Sequence, residues 1–378
     1  MIEIKLVNTE DKRQVKQFVQ FHFDLYKGAP NWVPPFRNDI ETMLNKKKHP
    51  YYEHSEADFF TAWKDGKLVG RIAALMNNSF NQYHQEKTAN LFLFDSIDDQ
   101  EVADALFNAA SDWALARGMT ELIGPKGFSL FDGYGVLVEG YEYRQMMNMA
   151  AYNFPYYQAL YENFGFEKCN EFVSMGFKTK DFEVPEKVQK VTELVKKRGK
   201  LKVITYQSRR EFLKRKEMIA ALYAKAFENN WEYFPLSMSE MQFLIDNVIK
   251  LVDPKLVKLI EDDAGEIVGF LVTFPDLSAA MQRHNGKITP LLLIDLLLET
   301  KRTKRMTLNG FGILEKYHGR GGNALLYTAM KELLEEFPQY EDAEATQMAE
   351  TAKEVRLEMK ALGLNTSKRH RVYRKVIG

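Results

Sequence analysis

The chain has 378 residues, and its 52 lysines and arginines equal its 52 aspartates and glutamates, so the formal net charge is zero. A neutral chain lacks the broad basic field that recruits nucleic acid, so no nucleic-acid partner is expected. The single cysteine, Cys169, excludes an intrachain disulfide. The longest apolar run, residues 290–298, is too short to span a membrane. With no visible signal peptide, these features predict a cytoplasmic protein without a membrane partner.

The spacing of apolar residues predicts alternating strands and helices in the first half of the chain. Strict alternation indicates strands, and apolar residues three or four positions apart indicate helices. Glycine and aspartate in residues 64–67 predict a hairpin turn between two of the strands. The predicted elements are, in order, strand 2–7, helix 11–27, strands 58–63 and 68–76, strand 89–94, helix 100–117, strand 121–124, helix 155–163 and strand 171–179.

A charged helix at residues 184–200 leads to a second series of elements in nearly the same order. Helices that alternate with strands are typical of an α/β layer fold, and the repetition predicts two domains, 1–182 and 201–378, joined by a connector at 183–200. The elements of the second series are strand 201–206, helices 210–229 and 239–252, strands 256–260, 267–274 and 305–313, helix 323–336, strand 344–348, helix 351–362 and strand 371–377.

A glycine-rich loop joins strand 305–313 to the helix that follows it. Its residues include Gly319, Arg320, Gly321 and Gly322. Glycines allow close approach of the backbone to a ligand, and a helix N-terminus offers free N–H groups and partial positive charge. The loop therefore predicts a phosphate-binding site, with an ordinary glycine turn between strand and helix as the alternative.

This order of elements and the loop resemble the GCN5-related N-acetyltransferase (GNAT) superfamily. The family's motif, Gln/Arg-x-x-Gly-x-Gly/Ala, falls on His318, Gly321 and Asn323, where histidine and asparagine replace the usual residues. The resemblance implies an α/β fold of the α+β type with two tandem GNAT-like domains, each a mixed, mostly antiparallel sheet flanked by helices. It also implies that acetyl-CoA or another acyl-CoA is bound in the second half. The implied cofactor-binding residues are Phe311, Gly312, Ile313, His318, Gly319, Arg320, Gly321, Gly322, Asn323 and Ala324.

The first half is similar to the family in other respects. Residues 159–166 look like its L-Y-x-x-x-G-F signature, whose tyrosine, here Tyr161, protonates the departing thiolate in many members. The segment that replaces the phosphate loop carries Asp98 and Asp99 and no glycine, so this half is a degenerate domain that is not expected to bind coenzyme A. More narrowly, segments such as N-W-V-P-P-F at 31–36 are similar to a group of bacterial tandem GNAT-like proteins.

The resemblance implies direct attack of an amine on a thioester, with a small-molecule or peptide amine as the acceptor. Strand 307–313 is expected to separate from strand 344–348 and to offer N–H groups to the thioester carbonyl. Candidate bases are Glu344 and Glu350, and Tyr373 is a candidate proton donor. Solvated carboxylates are the alternative for both glutamates, and histidine spacing predicts no metal site.

Two further hypotheses stay open at this level. Met359 stands where the second half's acid tyrosine would be, so the protein could be an inactive GNAT scaffold that binds a small molecule or a protein. The second hypothesis is transfer of an amino acid from a charged tRNA. The zero net charge of the chain argues against it, because tRNA binding depends on positive charge. The sequence does not indicate the oligomeric state.

Overall fold

Helices and strands form where the periodicity predicts them in the first half. The computed structural model describes residues 1–129, 132–147, 149–226, 228, 230, 231, 233–247 and 252–378. The first-half elements are β1 (Ile2–Leu6), α1 (Lys12–Leu25), α2 (Arg37–Leu44), β2 (Glu56–Lys64), β3 (Lys67–Met76), α3 (Asn78–His84), β4 (Thr88–Ser96), α4 (Gln100–Leu115), β5 (Glu121–Gly124), β6 (Val136–Glu139), α5 (Tyr157–Asn163) and β7 (Glu167–Lys178).

The connector forms a helix, α6 (Glu186–Arg198), as predicted. The ends of predicted helices 210–229 and 239–252 fall on residues 229 and 248–251, which lie outside the described residues. The second-half elements are β8 (Leu201–Ile204), α7 (Arg209–Lys214), α8 (Lys216–Ala226), α9 (Met238–Asn247), β9 (Val257–Asp262), β10 (Ile267–Pro275), α10 (Ser278–His284), α11 (Pro290–Arg302), β11 (Arg305–Ile313), α12 (Gly322–Glu336), β12 (Asp342–Ala349), α13 (Lys353–Ala361) and β13 (Asn365–Val376).

Within the described residues the strands form one continuous sheet. Twelve of them follow the order β1-β2-β3-β4-β5-β13-β7-β12-β11-β10-β9-β8, and β6 pairs with β13 outside that path. The pairs β4–β5 and β11–β12 are parallel and the other recorded pairs are antiparallel. The prediction of mixed, mostly antiparallel sheets flanked by helices is therefore confirmed.

The last strand of each half lies beside strands of the other half. Strand β13 pairs with β5 of the first half, and β7 pairs with β12 of the second half. The two exchanged strands also pair with each other along most of their length. The domain boundaries at 182 and 201 stay predictions, because this exchange joins the two halves in one sheet.

Each half also has an opening in the sheet beside its parallel strand pair. Strand β4 pairs with β5 only over residues 88–90 and then continues to Ser96 with β3 as its one recorded neighbour among the described strands, which leaves the first opening. Strand β11 pairs with β12 up to Leu308 and continues to Ile313, which leaves the second opening. The expected separation of residues 307–313 from 344–348 is thus present from residue 309 onward.

A buried ion pair links the exchanged strand β13 to β12. Lys368 Nζ donates to both carboxylate oxygens of Glu344, at 2.7 and 2.8 Å, and both residues are 2% exposed. Arg305 lies 3.5 Å from the same carboxylate. Glu344 is therefore not a solvated carboxylate but one member of a buried ion pair between the two second-half strands that flank β7.

We expect Glu344→Ala to lower the free energy of unfolding by about 3–5 kcal/mol, because Lys368 would remain charged and unpaired in the interior. Urea denaturation followed by circular dichroism measures the loss. Asp342→Ala on the same strand is the control, because it removes the partner of the exposed Lys178 and exposed ion pairs contribute little. Equal losses for the two variants would contradict the prediction.

Candidate functional site

The predicted glycine loop, defined as residues 318–324, has the backbone shape of an anion site. Gly319 and Gly321 adopt φ angles of +68° and +87°, which L side chains rarely adopt, and α12 begins at Gly322. The N–H groups of Gly322, Asn323 and Ala324 have no acceptor within the described part of the chain. Arg320 is exposed beside them. Free N–H groups at a helix N-terminus can hold a phosphate.

Packing gives a second reason for glycine in this loop. A Cβ atom on Gly321 would lie 2.4 Å from Val195 Cγ2 of α6, and one on Gly322 would lie 2.0 Å from Ile313 Cδ1. Thr192 of α6 also donates to the carbonyl oxygen of Ala324, at 3.0 Å. The connector helix therefore packs directly against the start of α12.

The remaining predicted cofactor residues lie on β11 and at the loop entrance. The Phe311 ring stacks on Tyr327 of α12 with centroids 5.0 Å apart. A Cβ on Gly312 would touch Phe270 at 3.3 Å, and Ile313 is buried. His318 Nε2 lies 3.1 Å from the carbonyl oxygen of Ile313. The end of β11 and the start of the glycine loop are thus held together beside the second opening.

The three predicted catalytic residues are bound to three different partners. Glu344 pairs with Lys368, as described above. Glu350, at the end of β12, accepts a hydrogen bond from Lys168 at 2.7 Å. Tyr373 is buried in the first half through the strand exchange, where its hydroxyl donates to Glu162 at 3.0 Å. The structure does not bring these side chains together at the glycine loop.

The tyrosine of the first-half signature is also part of a core. Tyr161 is fully buried, and its ring stacks on Tyr373 with centroids 5.2 Å apart. Its hydroxyl has no hydrogen-bond partner within the described residues. Tyr161 therefore does not face the cavity described next, and Met359, its counterpart in the second half, is likewise buried.

The first opening borders a cavity of about 670 Å³. This volume lies in the range of small-molecule sites, which are mostly apolar with a few polar groups. Helix α9 of the second half closes one side, and Glu240 of that helix is held by His54 at 3.1 Å. The walls are mainly aromatic and aliphatic and include Tyr26, Trp32, Phe36, Ile40, Met43, Phe92, Leu93, Phe94, Phe128, Val136, Leu236, Phe243 and Leu244.

One part of the cavity wall carries a polar network of His22, Tyr26, Arg71, Asp95 and Tyr157. His22 Nδ1 lies 2.9 Å from Asp95 Oδ2, and Arg71 Nε donates to the same oxygen at 2.7 Å. The Tyr157 hydroxyl donates to Asp95 Oδ1 at 3.3 Å and accepts from Tyr26 at 2.9 Å. Arg71 and Asp95 are both buried. Hydrogen bonds from His22, Arg71 and Tyr157 satisfy the Asp95 carboxylate.

This network sets the charge and tautomer of His22. Burial lowers the pKa of His22, and the nearby Arg71 cation lowers it further against the opposing effect of Asp95. Burial raises the pKa of Asp95, but His22 and Arg71 outweigh it, so the net shift is downward and the carboxylate is ionised. A carboxylate accepts from Nδ1–H, so Nε2 carries the lone pair of the neutral ring. His22 is therefore a neutral imidazole suited to accept a proton.

Two further carboxyl groups line the cavity. Asp39 as a whole residue is exposed, and the protein around its carboxyl group raises the pKa of that group to about 6 by partial desolvation. Burial raises the pKa of Asp132 to about 6 as well, and Ser129 N donates to it at 2.8 Å. Groups that titrate near neutral pH inside a cavity are candidates for ligand contact.

Sequence reasoning missed His22 and Asp95 as functional residues. His22 lies within the apolar spacing of α1, and Asp95 follows four apolar residues of β4. The two residues are 73 positions apart. A charged side chain inside a buried apolar run was the available signal, because such groups are rarely buried without a partner.

We expect Gly321→Ala to lower the free energy of unfolding by about 1–3 kcal/mol more than Gly319→Ala. Both changes strain a left-handed glycine, but Gly319 has nothing within 4 Å, whereas Gly321 would meet Val195. Val195→Ala should recover part of the loss in the Gly321→Ala background. Chemical denaturation of the four proteins checks this, and equal losses at the two glycines would rule out the packing role.

Comparisons with known proteins agree with this architecture, although no family model matches the chain. The chain is 26% identical over 374 residues to Protein YghO of Escherichia coli (strain K12), which covers 97% of this chain and 94% of that protein. It is 26% identical over 334 residues to a bacterial ceramide synthase of Caulobacter vibrioides, with 87% and 85% covered.

The fold matches that of a tandem GNAT protein from the clavulanic acid biosynthesis pathway. The TM-score is 0.57 at 13% identity, and the match covers 100% of this chain and 99% of that chain. Together the comparisons support acyl transfer as the general class of reaction. The chain has the tandem GNAT fold.

Proposed function

We propose that the protein transfers an acyl group from an acyl-CoA, such as acetyl-CoA, to a primary amine. The observation that carries this proposal is the His22–Asp95 pair on the wall of the cavity at the first opening. An ammonium group has no lone pair, so transfer to an amine requires a base that removes a proton first. The fold and the acyltransferase relative support the same class of reaction.

In the proposed reaction His22 Nε2 accepts a proton from the ammonium group of the acceptor. The imidazolium that forms is stabilised by the Asp95 carboxylate, which Arg71 keeps ionised. The freed amine lone pair forms a bond to the thioester carbonyl carbon, the carbon–sulfur bond breaks, and the thiolate leaves as a thiol with the second proton that the attacking nitrogen loses. Apolar walls around the base exclude water and favour transfer over hydrolysis.

The glycine loop is the proposed donor site. The N–H groups of Gly322, Asn323 and Ala324 would hold the pyrophosphate, and the exposed Arg320 would add a positive charge. The cavity, which includes residues of both halves, is the proposed acceptor cleft, and strands β5, β13, β7 and β12 lie between β4 at its wall and β11 at the loop.

The cavity favours an acceptor that is largely apolar and carries one amine. Its aromatic walls suit an apolar body, and the carboxyl groups of Asp39 and Asp132 suit an ammonium group. The relative from Caulobacter vibrioides is named a ceramide synthase, and a ceramide is an N-acylated long-chain amino alcohol. Its name is therefore consistent with an apolar amine as the acceptor here.

A binding protein without catalysis is the second candidate. Position 321 needs a glycine because a Cβ atom there would collide with Val195, whether or not a phosphate binds. Tyr161 is buried in the core. The two strongest family features thus have packing roles that do not depend on transfer. In this case the cavity would hold an amine without acylating it.

Arg320→Glu is expected to weaken acetyl-CoA binding by about tenfold or more, because it places a negative charge beside the pyrophosphate. Titration calorimetry measures the affinity. Lys187→Glu makes the same charge change at an exposed position of α6 and should bind as wild type does. Equal affinities for the two variants, or no binding to wild type at millimolar ligand, would remove the loop from the donor site.

We expect His22→Gln to lower the rate of thiol release from acyl-CoA with dodecylamine by about 10²–10⁴-fold. In wild type the rate should fall as the pH drops through the pKa of His22, which burial places below its usual value, because the protonated ring cannot accept a proton. The variant should lose that pH dependence. His84→Gln, which alters a histidine outside the cavity lining, should keep the wild-type rate.

The proposal fails if His22→Gln and His84→Gln behave alike in this assay. It also fails if wild type binds both acyl-CoA and dodecylamine but releases no thiol. The second result would favour the binding protein.

A further inference from the structure

Helix α11 exposes an unusually apolar surface to solvent. Four leucines and one isoleucine of α11, with an isoleucine two residues before it, are 42% to 70% accessible. Soluble proteins rarely leave so many adjacent large apolar side chains exposed unless the surface has a partner. We call this surface the leucine face, and it consists of Ile288, Leu291, Leu293, Ile294, Leu297 and Leu298.

Ion pairs hold α11 with its polar side toward the protein. Asp295 lies 2.8 Å from Arg283 Nε and 3.1 Å from His284 Nε2, both on α10. Glu299 is buried and also pairs with Arg283. A helix held this way presents its apolar side outward, which is the reverse of an ordinary surface helix.

The helix also lacks a counterpart in the first half. One described helix, α3, lies between β3 and β4, whereas α10 and α11 both lie between β10 and β11. With Leu292 as its one buried leucine, α11 adds little to the core. Its leucines therefore have no packing role that explains them.

Positive charges border the leucine face. The exposed charged residues among 287–304 are Lys287, Lys301, Arg302 and Lys304, while the two acids of this segment face α10. Lys304 also pairs with Glu341, and Arg302 lies 3.4 Å from Asp295, which leaves Lys287 and Lys301 without a recorded ion pair among the described residues. An apolar face with a basic border fits the surface of an anionic lipid bilayer.

We propose that α11 docks the protein on an anionic membrane surface and lies in the plane of the interface. The leucine face enters the boundary between headgroups and acyl chains, and Lys287, Lys301 and Arg302 contact lipid phosphates. No helix in the described part of the chain is long and apolar enough to cross a membrane, and this docking requires none. The proposal departs from the expectation of no membrane partner and does not depend on the proposed acyl transfer.

A second copy of the chain fits this surface less well. In a symmetric pair the same patch meets itself. Both ends of α11 carry exposed basic residues, so lysines and arginines would face each other in a parallel or an antiparallel pair. Like charges in contact oppose association.

Flotation of the full-length protein with phosphatidylcholine vesicles, with or without phosphatidylglycerol, tests the proposal. Wild type should float with the anionic vesicles and much less with the neutral ones, and added salt should weaken binding. Leu291→Asp with Leu297→Asp should lower the bound fraction by about tenfold or more. Leu194→Asp with Leu357→Asp is the control, because it alters two leucines of similar exposure on α6 and α13.

Lys287→Glu with Lys301→Glu should lower binding to anionic vesicles only. Failure of wild type to float with anionic vesicles would overturn the proposal, as would equal losses in the two leucine variants. Wild type could instead sediment as a dimer, with the Leu291→Asp, Leu297→Asp double variant as a monomer. That result would assign the leucine face to a second copy of the chain and overturn the membrane proposal. Circular dichroism confirms that each variant is folded.

Discussion

The exchange of the last strands is the constraint on which the rest of this structure depends. Strand β13 occupies the position beside β5, and β7 occupies the position beside β12. The two halves therefore share one sheet and cannot separate without the loss of four strand pairings, β13 with β5, β6 and β7, and β7 with β12. The buried Lys368–Glu344 pair adds to this junction. Because the halves are fixed against each other, α9 of the second half can close a cavity that opens in the first.

The order of elements could be predicted from the sequence, and the strand exchange could not. Alternation of apolar residues shows which face of a strand is buried but not which strand lies next to it. The opening between β11 and β12 could be predicted, because it followed from the resemblance and from where the strand ends. The glycine loop has the predicted backbone shape, but its contact with Val195 depends on the path of the connector helix.

The polar network and α11 show the limits of periodicity more clearly. His22 occupies a core-like position in α1, and only the fold places it beside Asp95. Residues 290–298 are a nearly continuous apolar run, which gives no preferred buried face. The contacts of Asp295 and Glu299 with α10 decide the orientation, and those depend on Arg283 in a helix that the sequence analysis did not predict.

Burial of His22, Arg71 and Asp95 beside apolar walls costs free energy that well-packed apolar residues would not. Such groups are often kept at sites of chemistry, where burial and paired charges adjust pKa values. The network here fixes an imidazole tautomer and keeps neutral the ring of a histidine that lines a cavity of suitable size. The second half supplies the proposed donor site, which is the N-terminus of α12 with its free N–H groups. The account therefore divides proton removal and donor binding between the two halves.

The central claim is that the cavity at the first opening binds the amine whose proton His22 accepts. A crystal structure of the protein with dodecylamine tests it most directly. The account predicts the amine nitrogen within hydrogen-bond distance of His22 Nε2 and the alkyl chain among Trp32, Phe92 and Phe128. An amine bound elsewhere at full occupancy, with its nitrogen away from His22, would contradict it.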